Sequence, residues 1–198
     1  MHYYPVPHID ISIGKIYRLW KDIYFAEHLA RPRKNTISVN RKHLAVFNDE
    51  AWVSSFGLTP VSAFFGFTPP NSIMPPHRDP SSNPDIIKQG FDYHPWALNI
   101  PLTCDVGSKI VWHRVKTGSQ TQLEGASNSP YNNVRVPMAD LSDLIEVASI
   151  CLDRPMLIST FDWHSVVNTT SEPRLIFSLR FEPIMSLADA AKLFDRAL

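Results

Sequence analysis

Pro75-Pro76-His77-Arg78-Asp79-Pro80 sets a histidine and a carboxylate two residues apart, with prolines on both sides. On an extended backbone residues i and i+2 project from one face, so His77 and Asp79 can grip one metal ion together while Arg78 points away. A metal needs a third donor, and Phe161-Asp162-Trp163-His164-Ser165-Val166-Val167-Asn168 supplies His164. Two histidines and one carboxylate on one side of an ion, with positions left open, make the facial triad that holds non-heme Fe(II). His113, within the strand-like run Lys109 to Val115, is a rival third donor. It ranks below His164 because no arginine-bearing run follows it. His94, in a loop just before Pro95, has nothing paired with it in sequence.

Ten residues after His164 comes Arg174-Leu175-Ile176-Phe177-Ser178-Leu179-Arg180-Phe181. Read as a strand, it puts Arg174, Ile176, Ser178 and Arg180 on one face and Leu175, Phe177, Leu179 and Phe181 on the other. An arginine projecting into an apolar interior is isolated unless it meets an anion. The competing reading makes Arg174 an edge-strand charge that reaches solvent along its apolar stem, and pairs Arg180 with Glu182 or Asp162.

These residues need strands to carry them. From Pro60, Val61, Ala63, Phe65 and Phe67 alternate with Ser62, Phe64 and Gly66, and a Pro69-Pro70-Asn71-Ser72 turn hands the chain to His77. Trp96 to Leu102 is a strand in which Asn99 shares a face with Ala97 and Pro101. Burying that amide without a partner would cost about 1–3 kcal/mol. Lys109 to Val115 is another strand, with Ile110, Trp112 and Arg114 on one face and His113 on the other. A capped turn over Asp140 to Ile145 precedes a strand from Val147 to Leu152, and Pro155 to Phe161 leads as a strand to His164. Residues 80–95 and 116–133 are polar and long for structureless loops, the kind that serve as lids or binding loops.

The ordered set of His77-x-Asp79, a distant His164 and Arg174 on the next strand resembles the Fe(II)/2-oxoglutarate-dependent dioxygenase superfamily, over roughly residues 60–182. The resemblance implies a mainly β fold, a double-stranded β-helix (jelly roll) of two antiparallel sheets with flanking helices. It implies Fe(II) on His77, Asp79 and His164, with 2-oxoglutarate and O2 as cosubstrates. Arg174 would grip the distal carboxylate of 2-oxoglutarate through two parallel hydrogen bonds, with Arg180, Asn99 and Ser178 beside the cosubstrate. The implied reaction releases succinate and carbon dioxide and hydroxylates an unactivated C–H bond, in an amino-acid side chain of a protein or in a small metabolite. Trp163, Trp112 and Phe65 are candidate pocket walls that read equally as core. Two other readings stand beside this one. A cupin-type metalloenzyme would use the same ligands without 2-oxoglutarate, against which Arg174 and Arg180 argue. A non-catalytic metal-binding jelly-roll module is opposed by the intact ligand set.

Composition frames these readings. The 198 residues, 44% hydrophobic, suit one domain with a real core: a jelly-roll core at 60–182 behind an N-terminal helical and strand extension at 1–57. Seventeen prolines against seven glycines fit stiff turns between strands. The zero formal charge steers neither polyanions nor acidic membranes. The basic residues Arg31, Arg33, Lys34, Arg41 and Lys42 lack interleaved aromatics, so they read as a solvated loop and not as a nucleic-acid surface. Cys104 and Cys151 form no CxxC pair, and no signal peptide or membrane-length apolar run is evident. The expectation is a cytoplasmic protein with reduced thiols, acting on a small-molecule or peptidyl substrate, its oligomeric state unspecified. Ile16, Leu19, Trp20 and Ile23 recur at helical spacing, Asn48 to Gly57 reads as a short helix capped by Asn48 or Asp49, and Leu187, Ala190, Ala191 and Phe194 mark a last helix.

Overall fold

The computed structural model describes residues 1–6, 12–28, 36–39, 41–48, 50–78, 95–103, 107–117 and 140–196. In chain order the elements are β1 (Tyr3–Pro5), α1 (Ile13–His28), β2 (Thr36–Val39), α2 (Arg41–Asn48), α3 (Ala51–Ser55), β3 (Thr59–Thr68) and β4 (Ser72–His77). Then follow β5 (Trp96–Pro101), β6 (Ser108–Val115), a 3-10 turn (Leu141–Asp143), β7 (Leu144–Cys151), β8 (Met156–Ser159), β9 (Trp163–Asn168), β10 (Arg174–Glu182) and α4 (Leu187–Asp195). All pairings are antiparallel, in a larger sheet ordered β1-β8-β5-β10-β3-β2 and a smaller one ordered β4-β9-β6-β7. From β3 onward successive strands alternate between the sheets, except for the β6–β7 pair of the smaller one; this is the expected double-stranded β-helix.

The alternation read from the sequence decides which side chain meets which layer. Ala63, Phe65, Leu98, Ile100, Leu157, Phe177, Leu179 and Phe181 bury the outer face of the large sheet against Ile16 and Leu19 of α1, Leu44 and Phe47 of α2, and Ala190 and Phe194 of α4. The other face, with Ala97, Met156, Ile158 and Ile176, packs on Ile110 and Trp112 of the small sheet. Trp112 Nε1 donates to Ser159 O at 3.0 Å, which links the two layers. Gly66 lies opposite Ile176 in this interior. A Cβ at Gly66 would stand 3.0 Å from Ile176 Cγ1, so a larger residue there would require the Ile176 side chain to give by a few tenths of an ångström.

Several elements differ from expectation. Arg41, Lys42 and His43 begin α2 and are no loop; Leu44 and Phe47, three apart, are buried and pull that segment onto the sheet. Asn48 is the last residue of α2, Asp49 lies outside the described residues, and Glu50 O receives the amides of Val53 and Ser54 at the start of α3. Gly57 is the expected stop, with φ +63° and the Leu58 amide returning to Val53 O. The strand from Pro155 does not run on to His164. It stops at Ser159, where Ser159 Oγ donates to Asp162 Oδ2 at 2.8 Å and bends the chain across to the small sheet. His164 therefore belongs to a separate strand, β9. The short strands β1 and β2 carried too little pattern to be read.

Asn168 stitches the base of the sandwich. Its Nδ2 lies 3.2, 3.0 and 2.8 Å from the carbonyls of Thr68, Pro69 and Glu172. Its Oδ1 accepts from the Thr170 amide and hydroxyl. One side chain thus fixes the β3–β4 turn to the β9–β10 turn, and with it the start of β10.

Candidate metal and cosubstrate site

His77 and His164 are register partners across β4 and β9. Their ring centroids are 4.5 Å apart. His164 also opposes Trp112 on β6, so both rings share the interior face with the buried indole. Each imidazole is oriented through its Nδ1. His77 Nδ1 donates to Pro75 O at 2.8 Å and His164 Nδ1 donates to Asp162 O at 2.9 Å. A carbonyl oxygen only accepts, so each Nδ1 carries a proton, and in the neutral tautomer that this selects the lone pair is at Nε2, as a metal ligand requires.

The bend that supplies the carbonyl to His164 is itself braced. Asp162 Oδ2 accepts from Ser159 Oγ and, at 3.1 Å, from His2 Nδ1. The His2 ring stacks on Trp112 at 5.7 Å, and His2 O receives the Ser159 amide. His2, Ser159 and Asp162 were not foreseen in these positioning roles. Only the two-residue spacing of Asp162 and His164 hinted at one of them.

Asp79 lies outside the described residues, as do His94, the loops at 80–94 and 118–133, and a second His-x-Asp spacing at His8-Ile9-Asp10. Among the described residues no three His, Cys, Asp or Glu side chains gather around one point. Two of the three expected ligands are thus placed together.

His113 sits on the other face of the small sheet. It opposes Trp163, and its Nε2 is 2.8 Å from Ser165 Oγ. Burial holds its pKa below the ordinary 6.5, against a smaller opposing pull from Glu146. One residue of strand parity turns this rival away from His164. The candidate walls separate in the same way: Trp112 faces the interior, Phe65 packs on the helix side against Phe177 and Trp20, and Trp163 lies on the outer face.

Arg174 opens β10, which runs between β5 and β3, so the edge-strand reading fails. It is 4% exposed, and its Nη2 has no hydrogen-bond partner among the described residues. Desolvation by burial lowers its pKa to about 10, so it stays cationic at neutral pH. The remaining three candidates form one buried chain on the same face. Arg180 Nη1 donates to Ser178 Oγ, which donates to Asn99 Oδ1 at 2.6 Å. Ser178 and Asn99 are register partners on β10 and β5. The Arg180 guanidinium also lies 5.3 Å from the Phe64 ring centroid.

Along the strands, Arg174 belongs to the end of the sandwich stitched by Asn168, and His164 lies near the other end of the strand that Asn168 ends. Four residues of strand separate those levels, roughly 13 Å at ~3.3 Å per residue. The interior thus presents two oriented imidazoles at one level and a desolvated cation at another, with a polar chain on the same face of β10.

No protein-family model matches the sequence, and no curated protein matches it. Solved structures do. SnoK, a non-heme alpha ketoglutarate dependent carbocyclase from nogalamycin biosynthesis, superposes with a TM-score of 0.53 at 12% identity, covering 91% of this chain and 79% of that one. EvdMO1 superposes with a TM-score of 0.50 at 13% identity, covering 91% of this chain. The chain spans only 47% of EvdMO1. At these identities the likeness is one of fold.

Proposed function

We propose that this chain is an Fe(II)- and 2-oxoglutarate-dependent oxygenase that hydroxylates an unactivated C–H bond, in an amino-acid side chain of a protein or in a small metabolite. The observation that carries the reading is Arg174, a buried guanidinium with Nη2 unpartnered among the described residues, on the interior face toward which His77 and His164 also turn. A charge left in that state calls for an anion, and a dicarboxylate whose other end reaches the histidine pair answers both requirements.

In this reading His77, Asp79 and His164 hold the iron. When bound, the metal with 2-oxoglutarate and O2 supplies the oxidising chemistry, releasing succinate and carbon dioxide. The protein's own residues orient and exclude. Pro75 O and Asp162 O fix the imidazole rings, Arg174 anchors the distal carboxylate, and Ser178 with Asn99 holds Arg180 on the same interior face of β10. Trp112 and Phe64 keep the interior apolar, which strengthens every charge interaction made there. The polar stretches 80–95 and 116–133 are the proposed source of substrate contacts. Among the described residues no helix is long and apolar enough to cross a membrane. The proposed setting is cytoplasmic.

The test is a screen of peptides and metabolites in which succinate release is measured with Fe(II) and 2-oxoglutarate present, and His77→Ala serves as the blank. A matching substrate raises succinate well above the blank. Iron binding with no 2-oxoglutarate binding by calorimetry would favour a metalloenzyme of another kind.

A further inference from the structure

Arg78 lies between two proposed ligands in sequence, yet its guanidinium packs on the opposite face of the small sheet. Its Cζ is 5.0 Å from the ring centroid of Trp163 and 5.4 Å from that of Phe161. Trp163 is 3% exposed and Phe161 46% exposed, so the cation is held between a buried indole and a half-open phenyl ring. Nε of Arg78 is buried with no hydrogen-bond partner among the described residues, which leaves the ring faces as its contacts at that edge. Such attraction grows as the cation loses water.

The contact falls where the backbone ladder is weakest. Register between β4 and β9 shifts between Met74 and His77, a stretch that contains Pro75 and Pro76, neither of which has an amide hydrogen to donate. Main-chain bonds therefore secure the end of β4 poorly. Arg78 directly follows His77, and Trp163 directly precedes His164, so the stacked pair joins the two histidine-bearing segments next to the His77–His164 level. On an extended chain a side chain anchored outward turns its two neighbours inward.

We propose that Arg78, gripped by Phe161 and Trp163, is a positioning residue that fixes the roll of the chain at His77 and so sets that imidazole against His164. The inference rests on reading His77 and His164 as ligands. The experiment compares wild type, Arg78→Ala and Arg78→Lys in two measurements. In metal-free protein, amide hydrogen exchange over residues 72–78 is faster in Arg78→Ala and close to wild type in Arg78→Lys, while exchange in α4 is the same in all three. In Co(II) titrations Arg78→Ala binds about tenfold more weakly, with an altered visible spectrum, and Arg78→Lys recovers most of the loss. Wild-type Co(II) binding with an unchanged Arg78→Ala would overturn the clamp alone. A wild type that binds no Co(II) would overturn the metal reading, and the clamp's role with it.

Discussion

His77 and His164 are oriented by the same device: each Nδ1 donates to the carbonyl two residues earlier, Pro75 for one and Asp162 for the other, and the two rings meet across the β4–β9 ladder at 4.5 Å. This arrangement sets tautomer and direction before any ion arrives.

Arg174→Met separates function from stability. The guanidinium is buried with Nη2 unpartnered among the described residues, and methionine fills comparable volume without a charge. Replacing a buried charge by a packed apolar side chain is often neutral or stabilising by about 1–4 kcal/mol. The variant should therefore melt at or above the wild-type temperature by calorimetry. It should bind 2-oxoglutarate at least about 100-fold more weakly, because a doubly hydrogen-bonded charged contact is lost. A variant that melts well below wild type would assign Arg174 a structural partner instead.

Asn168→Asp should destabilise the fold by about 3 kcal/mol in urea unfolding, through lost hydrogen bonds and buried repulsion. The amide Nδ2 faces three carbonyl oxygens, to which a carboxylate oxygen has nothing to donate. Asn168→Ala should cost somewhat less, since it removes the bonds without adding a charge. Loss of 2-oxoglutarate binding in either variant is expected to follow displacement of the start of β10.

His113 makes the fold sensitive to acid. Its folded pKa lies below the 6.5 of the unfolded chain because burial disfavours the imidazolium. Below 6.5 the unfolded state takes up more protons than the folded state, so stability falls as pH drops from about 6.5 toward the folded pKa, and is full above 6.5. His113→Gln keeps a polar partner for Ser165 Oγ and should flatten this part of the stability–pH curve. An unaltered slope in His113→Gln would place the acid sensitivity elsewhere.

Much of this was legible in the residues because period-2 patterning is strict where a strand is sandwiched. Arg174, Ile176, Ser178 and Arg180 share a face as the sequence indicates, and so do Ala97 and Asn99. The helix at Leu187–Asp195 buries the four residues that its spacing marks, Leu187, Ala190, Ala191 and Phe194. Three-dimensional neighbours were not legible. Nothing local says that Asn99 meets Ser178 from 79 residues away, or that His2 reaches Asp162 from 160 away. The strand β9 was hidden for another reason. The bend at residues 160–162 is made by a side-chain hydrogen bond between Ser159 and Asp162, with no glycine or proline to mark it. The α2 helix was obscured by a basic first turn whose charges drew attention away from Leu44 and Phe47.

The pairing of His77 with His164 as ligands of one ion is tested most directly by anaerobic Fe(II) binding stoichiometry, measured for wild type and for single alanine variants. The account predicts one tightly held iron per chain in wild type. It predicts loss of that iron in His77→Ala, Asp79→Ala and His164→Ala, and its retention in His113→Ala and His8→Ala. Wild-type iron content in His164→Ala, or its loss in His113→Ala, would contradict it.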